Sequence, residues 1–138
     1  MRFWVLDTNV VVSGLLSPHG PSARVLNAVL DGRVTLVYDA RILAEFRDVL
    51  CRPRLKLPAP LVEAFLRGLG GQRLVTAPEL DVRGPDPDDV VFIAAALSVP
   101  DRTLVTGNLA HFPPEILRDV RVMTPAQAAA ELAANAHP

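Results

Sequence analysis

The chain has 138 residues, 50% of them hydrophobic and 21% charged, which indicates one compact globular domain over residues 1–138 and excludes a disordered chain. Its single cysteine, Cys51, excludes an intrachain disulfide, and we expect it to pack against neighbouring helices in a reducing compartment. No apolar run approaches the ~20 residues that span a bilayer, and no signal-peptide pattern is present, so a cytoplasmic protein without membrane contact is expected. The net charge of −1 argues against a strong general attraction to nucleic acid.

The predicted elements alternate between strands and helices along the chain. Short apolar runs predict buried strands at residues 3–6, 34–38, 73–76, 103–106 and 121–123. Periodic apolar segments predict helices at residues 10–16, 22–30, 39–51, 61–69, 86–98 and 124–135. This alternation predicts an α/β fold with a parallel sheet and right-handed crossovers.

The first candidate site residues follow the first predicted strand. Sites in parallel α/β sheets form beyond the carboxyl ends of the strands, which is where Asp7-Thr8-Asn9 stands. All three residues are also good helix N-caps, so a purely local capping role is an equal alternative.

Glu45 lies in the helix that follows the second strand. On a helical wheel it falls at the edge of an apolar stripe formed by Leu43, Phe46, Val49 and Leu50. Taken alone, a boundary residue or a surface ion pair is the more common role for such a glutamate. The alternative is a carboxylate directed along the sheet towards the strand ends.

Two further polar groups precede or follow predicted elements. Asp86, Asp88 and Asp89 lie at the start of a helix, where the helix dipole stabilises each charge by only ~0.3–1 kcal/mol, so their mutual repulsion suggests a bound cation. Thr106-Gly107-Asn108 forms an ordinary turn after the fourth strand. In a sheet of order 3-2-1-4-5, however, that strand neighbours the first, and Asn108 would face Asp7.

The combination of these groups predicts a hard cation. Oxygen ligands without histidine or cysteine suit Mg²⁺ or Mn²⁺ and not zinc. No glycine-rich phosphate loop follows the first strand, so a nucleotide cofactor is not expected. His19 and His111 stand in predicted loops and are expected to be surface or supporting residues.

The charge distribution permits a nucleic-acid partner in spite of the net charge. Thirteen of the fourteen basic residues are arginine, the better bidentate phosphate ligand. With Asp7, Glu45, Asp86 and Asp89 set aside, fourteen positive charges remain against eleven negative ones. The result is a weakly basic surface around an acidic cluster.

Several motifs together resemble the PIN-domain family. They are VLDTNVVVS near the start, a glutamate in the helix after the second strand, DPDDVVFIAAAL, LVTGNLAHF and the closing MTPAQAAAEL. The match runs nearly end to end and in order. The resemblance implies a three-layer α/β/α fold with a central parallel sheet of order 3-2-1-4-5, and the activity of a metal-dependent endoribonuclease on single-stranded RNA.

The resemblance also implies roles for particular residues. Asp7, Glu45 and Asp89 would be the catalytic acids and would hold Mg²⁺ or Mn²⁺, with Asp86 as a supporting metal ligand. Asn108 occupies a position where many members have aspartate, which leaves open whether one or two metals bind. Supporting roles fall to Thr8, Asn9 and Thr106.

Small stand-alone prokaryotic members of the family are mostly VapC-like toxins, so a cognate antitoxin and a homodimer are the expected partners. A metal-activated water would attack the phosphodiester without a side-chain nucleophile. Arg41, Arg47 and Arg52 are candidates to position the RNA backbone. The segment 52–69 is a candidate dimer interface through its apolar side chains Leu61, Val62, Phe65 and Leu66.

Two alternatives remain open at this point. A receiver-like or phosphohydrolase-like domain phosphorylated on Asp7 would want a lysine near the phosphoryl group, and the only lysine, Lys56, lies in a proline-rich segment. The second alternative is a degenerate PIN fold that binds RNA or a protein partner without cleavage. Asn108 is the one feature of the sequence that favours it. Mn²⁺ binding and RNA cleavage would separate an active enzyme from the degenerate form.

Overall fold

The computed structural model of the protein describes residues 2–77, 80 and 87–134. The strands are Arg2–Leu6 (β1), Val34–Tyr38 (β2), Arg73–Leu74 (β3), Thr103–Val105 (β4) and Arg121–Met123 (β5). The helices are Thr8–Leu16 (α1), Pro21–Leu30 (α2), Ala40–Leu50 (α3), Ala59–Gly68 (α4), Pro87–Leu97 (α5), Pro114–Leu117 (α6) and Pro125–Ala134 (α7). Short 3-10 turns lie at Pro53–Leu55, Leu69–Gly71 and Leu109–His111.

The five strands form one parallel sheet in the order β3-β2-β1-β4-β5, which confirms the predicted topology. β1 lies at the centre, with Trp4 paired to Leu36 of β2 and Leu6 paired to Val105 of β4. The order reverses between β1 and β4, so the carboxyl end of β1 lies at the point where open α/β sheets place their sites.

Helices cover both faces of the sheet and make it the middle of three layers. Trp4, Val5 and Leu6 are consecutive and fully buried, which requires cover on both faces because successive side chains point to opposite sides. α5 packs on β1, β2 and β4 and contacts α3, while α2 packs on β2 and contacts α1 and α7. The predicted α/β/α architecture is therefore confirmed.

Side-chain hydrogen bonds cap the starts of two predicted helices, α3 and α7. The Asp39 carboxylate accepts a hydrogen bond from the Ile42 amide at 2.9 Å and caps α3. At α7, Thr124 and Gln127 form a reciprocal capping box, each accepting from the other's amide.

The structure corrects two expectations. Cys51 does not pack against helices: it is exposed at the C-cap of α3, one residue beyond the last buried side chain, Leu50. Helix α6 was not predicted; Pro114 occupies its first turn, where proline is tolerated. Among the described helices, none is long and apolar enough to cross a membrane.

Candidate active site

The residues that follow the three central strands stand side by side. Continuing the β1–β4 register by one residue places Thr106 beside Asp7 in one row. Carrying the β1–β2 register three residues beyond its last pair, Trp4 and Leu36, brings Asp39 into the same row. Backbone hydrogen bonds support the part of the row with Asp7 and Thr106, since the Asp7 amide donates to Val105 and the Thr106 amide to Met123, both at 2.9 Å. The row brings two buried carboxylates and one buried hydroxyl to the same edge of the sheet.

Asp7 is held by its side chain and not by a capping role. It occupies the N-cap position of α1, yet its carboxylate makes no capping hydrogen bond. Its Oδ2 instead accepts from Thr106 Oγ1 at 2.7 Å and from Asn9 Nδ2 at 3.0 Å. Both side-chain donors therefore fall on one oxygen, which leaves Oδ1 as the oxygen of Asp7 that can serve a ligand.

Burial makes the charge of Asp7 costly. Only 6% of the residue is exposed, and this burial raises the pKa of the Asp7 carboxyl above its ordinary value. The hydrogen bond from Thr106 opposes the rise in pKa most strongly, followed by the nearby Thr8 amide, the charge of His111 and the Asn9 amide. A cation beside the carboxylate would supply the stabilisation that these groups provide only in part.

Two turns are joined across the switch point by side chains that the sequence predicts as supporting. Thr106 Oγ1 accepts from the Asn108 amide at 3.0 Å while donating to Asp7, so its hydroxyl direction is fixed. Asn9 Oδ1 accepts from the Gly107 amide at 3.0 Å. A Cβ at position 107 would lie 3.4 Å from Asn9 Oδ1, which is an ordinary contact distance, so the approach of the two turns does not itself require glycine.

The second predicted acid, Glu45, is connected to the same turn. It is half-buried on α3, and its Oε2 accepts a hydrogen bond from Thr8 Oγ1. Because Thr8 follows Asp7 directly, this bond ties the second acid to the end of β1. The edge-of-stripe position predicted for Glu45 agrees with its intermediate exposure.

The third predicted acid, Asp89, is buried in the first turn of α5, with 8% of the residue exposed. The His111 Nδ1 lies 3.3 Å from Asp89 Oδ2. The sequence predicted that His111 is a surface or supporting residue in a loop, without naming a partner. The signal for the contact with Asp89 is the position of His111 three residues after Asn108, in the turn beyond β4.

Asp39, which was not among the predicted site residues, also lies at this edge. Its Oδ1 caps α3, while its Oδ2 accepts from Arg41 Nε at 3.1 Å and Nη2 at 2.9 Å. Arg41 Nη2 lies 3.4 Å from the Ala77 carbonyl as well. Asp39 is thus matched by its own cation, and it adds no unbalanced charge beside Asp7.

The three candidate RNA-binding arginines differ in their surroundings. Arg41 is half-buried and fixed by Asp39 at the strand ends. Arg52 is exposed and pairs with Asp48 at 2.8 Å, an ordinary i,i+4 ion pair on the helix surface. Arg47 is exposed on α3. Of the three, Arg41 is the one held beside the acidic edge.

The donor chemistry of the edge fits a hard divalent cation. Asp7, Glu45 and Asp89 supply carboxylate oxygens, which Mg²⁺ and Mn²⁺ prefer, and buried Asp7 lacks a cationic partner within hydrogen-bond distance among its described contacts. Within residues 2–77, 80 and 87–134, no three histidine, cysteine or acidic side chains lie close enough together to form a metal-holding group. The predicted ligand Asp86 lies outside those residues. Among the described contacts, Thr8 joins Glu45 to the turn that carries Asp7, and His111 lies beside Asp89.

The comparison with protein families agrees with this fold. The profile of the PIN domain matches residues 4–110, which covers β1, the acids on α3 and α5 and the turn after β4. The chain therefore belongs to the PIN-domain family, whose members are generally metal-dependent nucleases. No curated protein and no solved structure matches the chain at a significant level.

Proposed function

We propose that the protein is a Mg²⁺- or Mn²⁺-dependent endoribonuclease that cleaves single-stranded RNA. The observation that carries the proposal is the placement of buried Asp7 at the switch point, with Glu45 joined to its turn through Thr8 and Asp89 contacted by His111. Membership of a family of nucleases supports the same reaction class.

One group of residues would hold the cation, and a second group fixes the side chains of the first. Asp7, Glu45 and Asp89 would hold the metal, with Asp86 and Asn108 as further oxygen donors. When bound, such an ion acidifies a water for attack on phosphorus and offsets charge on the leaving oxygen. Thr106 and Asn9 fix Asp7 through Oδ2, so that Oδ1 keeps one orientation.

Arg41 is the best placed of the candidate arginines to hold the RNA backbone. Its Nε and Nη2 are bound to Asp39, which orients the guanidinium plane at the edge that holds Asp7. A fixed guanidinium loses less conformational entropy when it binds a phosphate than a mobile one does. Arg47 and Arg52, on the exposed side of α3 and beyond it, would contact the strand farther from the reacting phosphate.

The test is cleavage of a labelled single-stranded RNA with Mn²⁺ or Mg²⁺ and with chelator. We expect cleavage only with metal, and Asp7→Asn should abolish it while circular dichroism shows an unchanged fold. The matched control is Asp119→Asn, because Asp119 is an exposed acid that pairs with Arg102, and both precede strands (β5 and β4) whose carboxyl ends carry the site. That variant should cleave as the parent does.

Two outcomes would go against the proposal. Cleavage by Asp7→Asn at the parent rate would remove Asp7 from the mechanism. If the protein binds RNA but does not cleave it with Mg²⁺, with Mn²⁺ or without metal, the result would support the degenerate PIN fold. In that fold the RNA-binding surface remains and the catalytic activity is lost.

We further propose that the protein is a VapC-like toxin of the cytoplasm that is held by a cognate antitoxin. A surface groove of about 370 Å³ supports the presence of a protein partner, and α1, α2 and α4 line it with mostly apolar side chains. Leu30 and Leu61 of its lining are 80% and 39% exposed, and an exposed apolar patch, unlike a single exposed leucine, marks an interaction site. A lone exposed cysteine, Cys51, suits a reducing compartment.

The toxin proposal predicts that expression of the chain arrests growth and that Asp7→Asn does not. Co-expression of a small protein encoded beside it should restore growth and co-purify with the chain. Leu30→Asp should escape this rescue while retaining RNA cleavage, because it changes the groove and not the acidic edge. Growth arrest by Asp7→Asn equal to that of the parent would contradict the proposal.

A homodimer remains a proposal that rests on the segment 52–69. Val62 is buried in the core and is unavailable to a partner, Phe65 is half-buried against Phe46 with ring centroids 5.9 Å apart, and Leu61 is 39% exposed. The available apolar surface of this segment is thus centred on Leu61. Light scattering of the parent and of Leu61→Asp would test it, with a parent monomer as the contrary result.

A further inference from the structure

The groove between α1, α2 and α4 extends inwards as far as the sheet. Leu36 of β2, which is fully buried, is among its lining residues together with Phe65 of α4. Gln72 also lines the groove, and its Oε1 accepts a hydrogen bond from the Leu36 amide at 2.9 Å, which fixes this side chain. The groove is thus a pocket with depth, and large apolar side chains that fill such pockets contribute most of the binding energy of protein interfaces.

A second cavity, here called the basic recess, lies on the other side of α2. It has a volume of about 190 Å³ and is lined by Arg24 and Asn27 of α2, by Arg33 and by residues of α7. Asn27 lines both cavities. Arg24 and Leu30 stand three residues before and after Asn27, which turns them by about 60° to opposite sides of the helix. The exposed ridge of α2 therefore separates an apolar cavity from a basic one.

The basic recess carries a positive charge that its described neighbours do not neutralise. Arg33 pairs with Asp31, with its Nε 3.0 Å from Asp31 Oδ1. Arg24 is exposed and has no ion-pair partner among the residues that the structure describes. A guanidinium can bind a carboxylate through two parallel hydrogen bonds, so Arg24 is suited to an acidic side chain of a partner.

We propose that the partner protein binds across α2, with a large apolar side chain in the groove and an acidic side chain at Arg24. The recognised segment is therefore amphipathic and acidic. This deepens the proposed function and rests on it only for the existence of a protein partner. An apolar pocket beside an exposed charge is the arrangement of protein interfaces, in which an apolar centre is surrounded by a polar rim.

A different protein fits the two cavities better than a second copy of the chain. Of the exposed leucines among the described residues, Leu30 and Leu61 line the groove, and Leu16 ends α1 beside it. Leu74 and Leu109 lie elsewhere, and neither has an acidic residue within two positions in the sequence. These two leucines therefore do not present the apolar and acidic pair of side chains that the cavities require.

The test uses a phage-displayed library of random peptides as the probe and the whole chain as the target. Selected peptides should be rich in leucine, isoleucine or phenylalanine and should carry aspartate or glutamate. The dissociation constant of one selected peptide is then measured by fluorescence anisotropy. Leu30→Asp and Arg24→Glu should each weaken binding by roughly 10-fold or more, because each places a negative charge against an apolar or an acidic group.

The matched control is Arg118→Glu, which makes the same change in charge at an exposed arginine beyond α6 that lines neither cavity. It should bind the peptide as the parent does. Exchange of the charges provides a second measurement. A peptide in which lysine replaces the acidic residue should bind Arg24→Glu more tightly than the parent.

The contrary outcomes are distinct from one another. Failure to select any peptide, or equal binding to the parent and to Leu30→Asp, would refute the docking site. Selected peptides without acidic residues, or equal binding to Arg24→Glu, would refute the role of Arg24. A parent dimer in light scattering that Leu30→Asp converts to a monomer would assign the groove to a second copy and overturn the proposal.

The toxin proposal is tested separately by growth arrest and RNA cleavage. If the parent shows neither and still binds acidic amphipathic peptides through Leu30 and Arg24, the docking site stands and the toxin proposal fails. If the parent arrests growth and the peptides ignore both residues, the reverse holds.

Discussion

Thr106 donates a hydrogen bond from Oγ1 to Asp7 Oδ2 at 2.7 Å, although the two residues are 99 positions apart in the chain. The bond closes the gap between the ends of β1 and β4, which pair in parallel. Thr106 is fully buried, and its oxygen also accepts from the Asn108 amide. One hydroxyl thus fixes the acid and the turn at the point where the strand order reverses.

This relationship predicts the effect of removing the hydroxyl. Thr106→Val keeps the shape but removes one of the two side-chain donors to buried Asp7 Oδ2 and leaves the half-buried Asn108 amide without its partner, so the free energy of unfolding should fall by ~1–3 kcal/mol. Thr106→Ser keeps the hydroxyl and loses a methyl, which costs ~0.5–1.5 kcal/mol. Urea unfolding of both variants at pH 7 measures the difference. A serine variant that is less stable than the valine variant would contradict the role given to Oγ1.

Asp7→Asn should change the pH dependence of stability in the metal-free protein. Burial raises the pKa of Asp7, so the ionised carboxyl destabilises the native state. As the pH falls through the native pKa of Asp7, the carboxyl takes up a proton and the parent protein loses this penalty to its stability. The neutral asparagine avoids this penalty at pH 7. The stability of Asp7→Asn relative to the parent should therefore be level or higher at pH 7. This relative stability should decline as the pH is lowered towards ~3.9, the ordinary pKa of aspartate.

Urea unfolding with chelator at pH 7 and at pH 4 measures this effect. A relative stability of Asp7→Asn that grows as the pH is lowered would mean that the native site favours the ionised carboxylate without a metal. The same mutation in Asp119, which is exposed, should show no such trend.

Gly14 lies where α1 packs closely against α2, so a larger residue at this position should destabilise the fold. A Cβ at this position of α1 would lie 2.5 Å from Leu26 Cδ1 and 3.1 Å from the Ser22 carbonyl on α2, so the helices would have to separate. Gly14→Ala should lower unfolding free energy by ~1–3 kcal/mol. Gly68→Ala is the matched control on α4, where a Cβ meets nothing within 4 Å and the gain in helix propensity is ~0.5–1 kcal/mol. Thermal melts that rank the two variants in the opposite order would contradict this packing.

Asn108→Asp should strengthen the dependence of the fold on metal. The change adds a like charge near Asp7, so the metal-free variant should melt at a lower temperature, while Mn²⁺ should bind it more tightly. Ligand linkage then predicts a larger rise in melting temperature with Mn²⁺ than in the parent. Calorimetric melts with chelator and with excess Mn²⁺ measure both. Equal shifts in the two proteins would place Asn108 outside the metal site.

The strand ends of the site could be predicted from the sequence, because they follow from local patterns. The apolar run before Asp7 stops at a carboxylate, and the same change from apolar to polar occurs at Asp39 and at Thr106. Once a parallel sheet is inferred, these residues must share an edge. The five strands were therefore predicted correctly from local patterns, whereas their order came from the resemblance to the PIN-domain family and is confirmed.

The contacts that join separate elements could not be predicted in the same way. The pairing of His111 with Asp89 depends on how a single 3-10 turn lies against α5, and no periodicity encodes that arrangement. The bond from Thr8 to Glu45 likewise depends on the angle between α1 and α3. The prediction that Cys51 is packed against helices was wrong for a related reason. Its apolar character favoured burial, but its position one residue beyond α3 leaves it exposed to solvent.

The most direct test of the metal centre is anomalous diffraction from crystals of the protein soaked in Mn²⁺. We expect an anomalous peak at the carboxyl end of β1, within bonding distance of carboxylate oxygens of Asp7, Glu45 and Asp89, and no such peak in crystals of Asp7→Asn. An ordered Mn²⁺ elsewhere with none at these three acids, or an unchanged peak in the Asp7→Asn crystals, would contradict the assignment of this edge as the catalytic metal site.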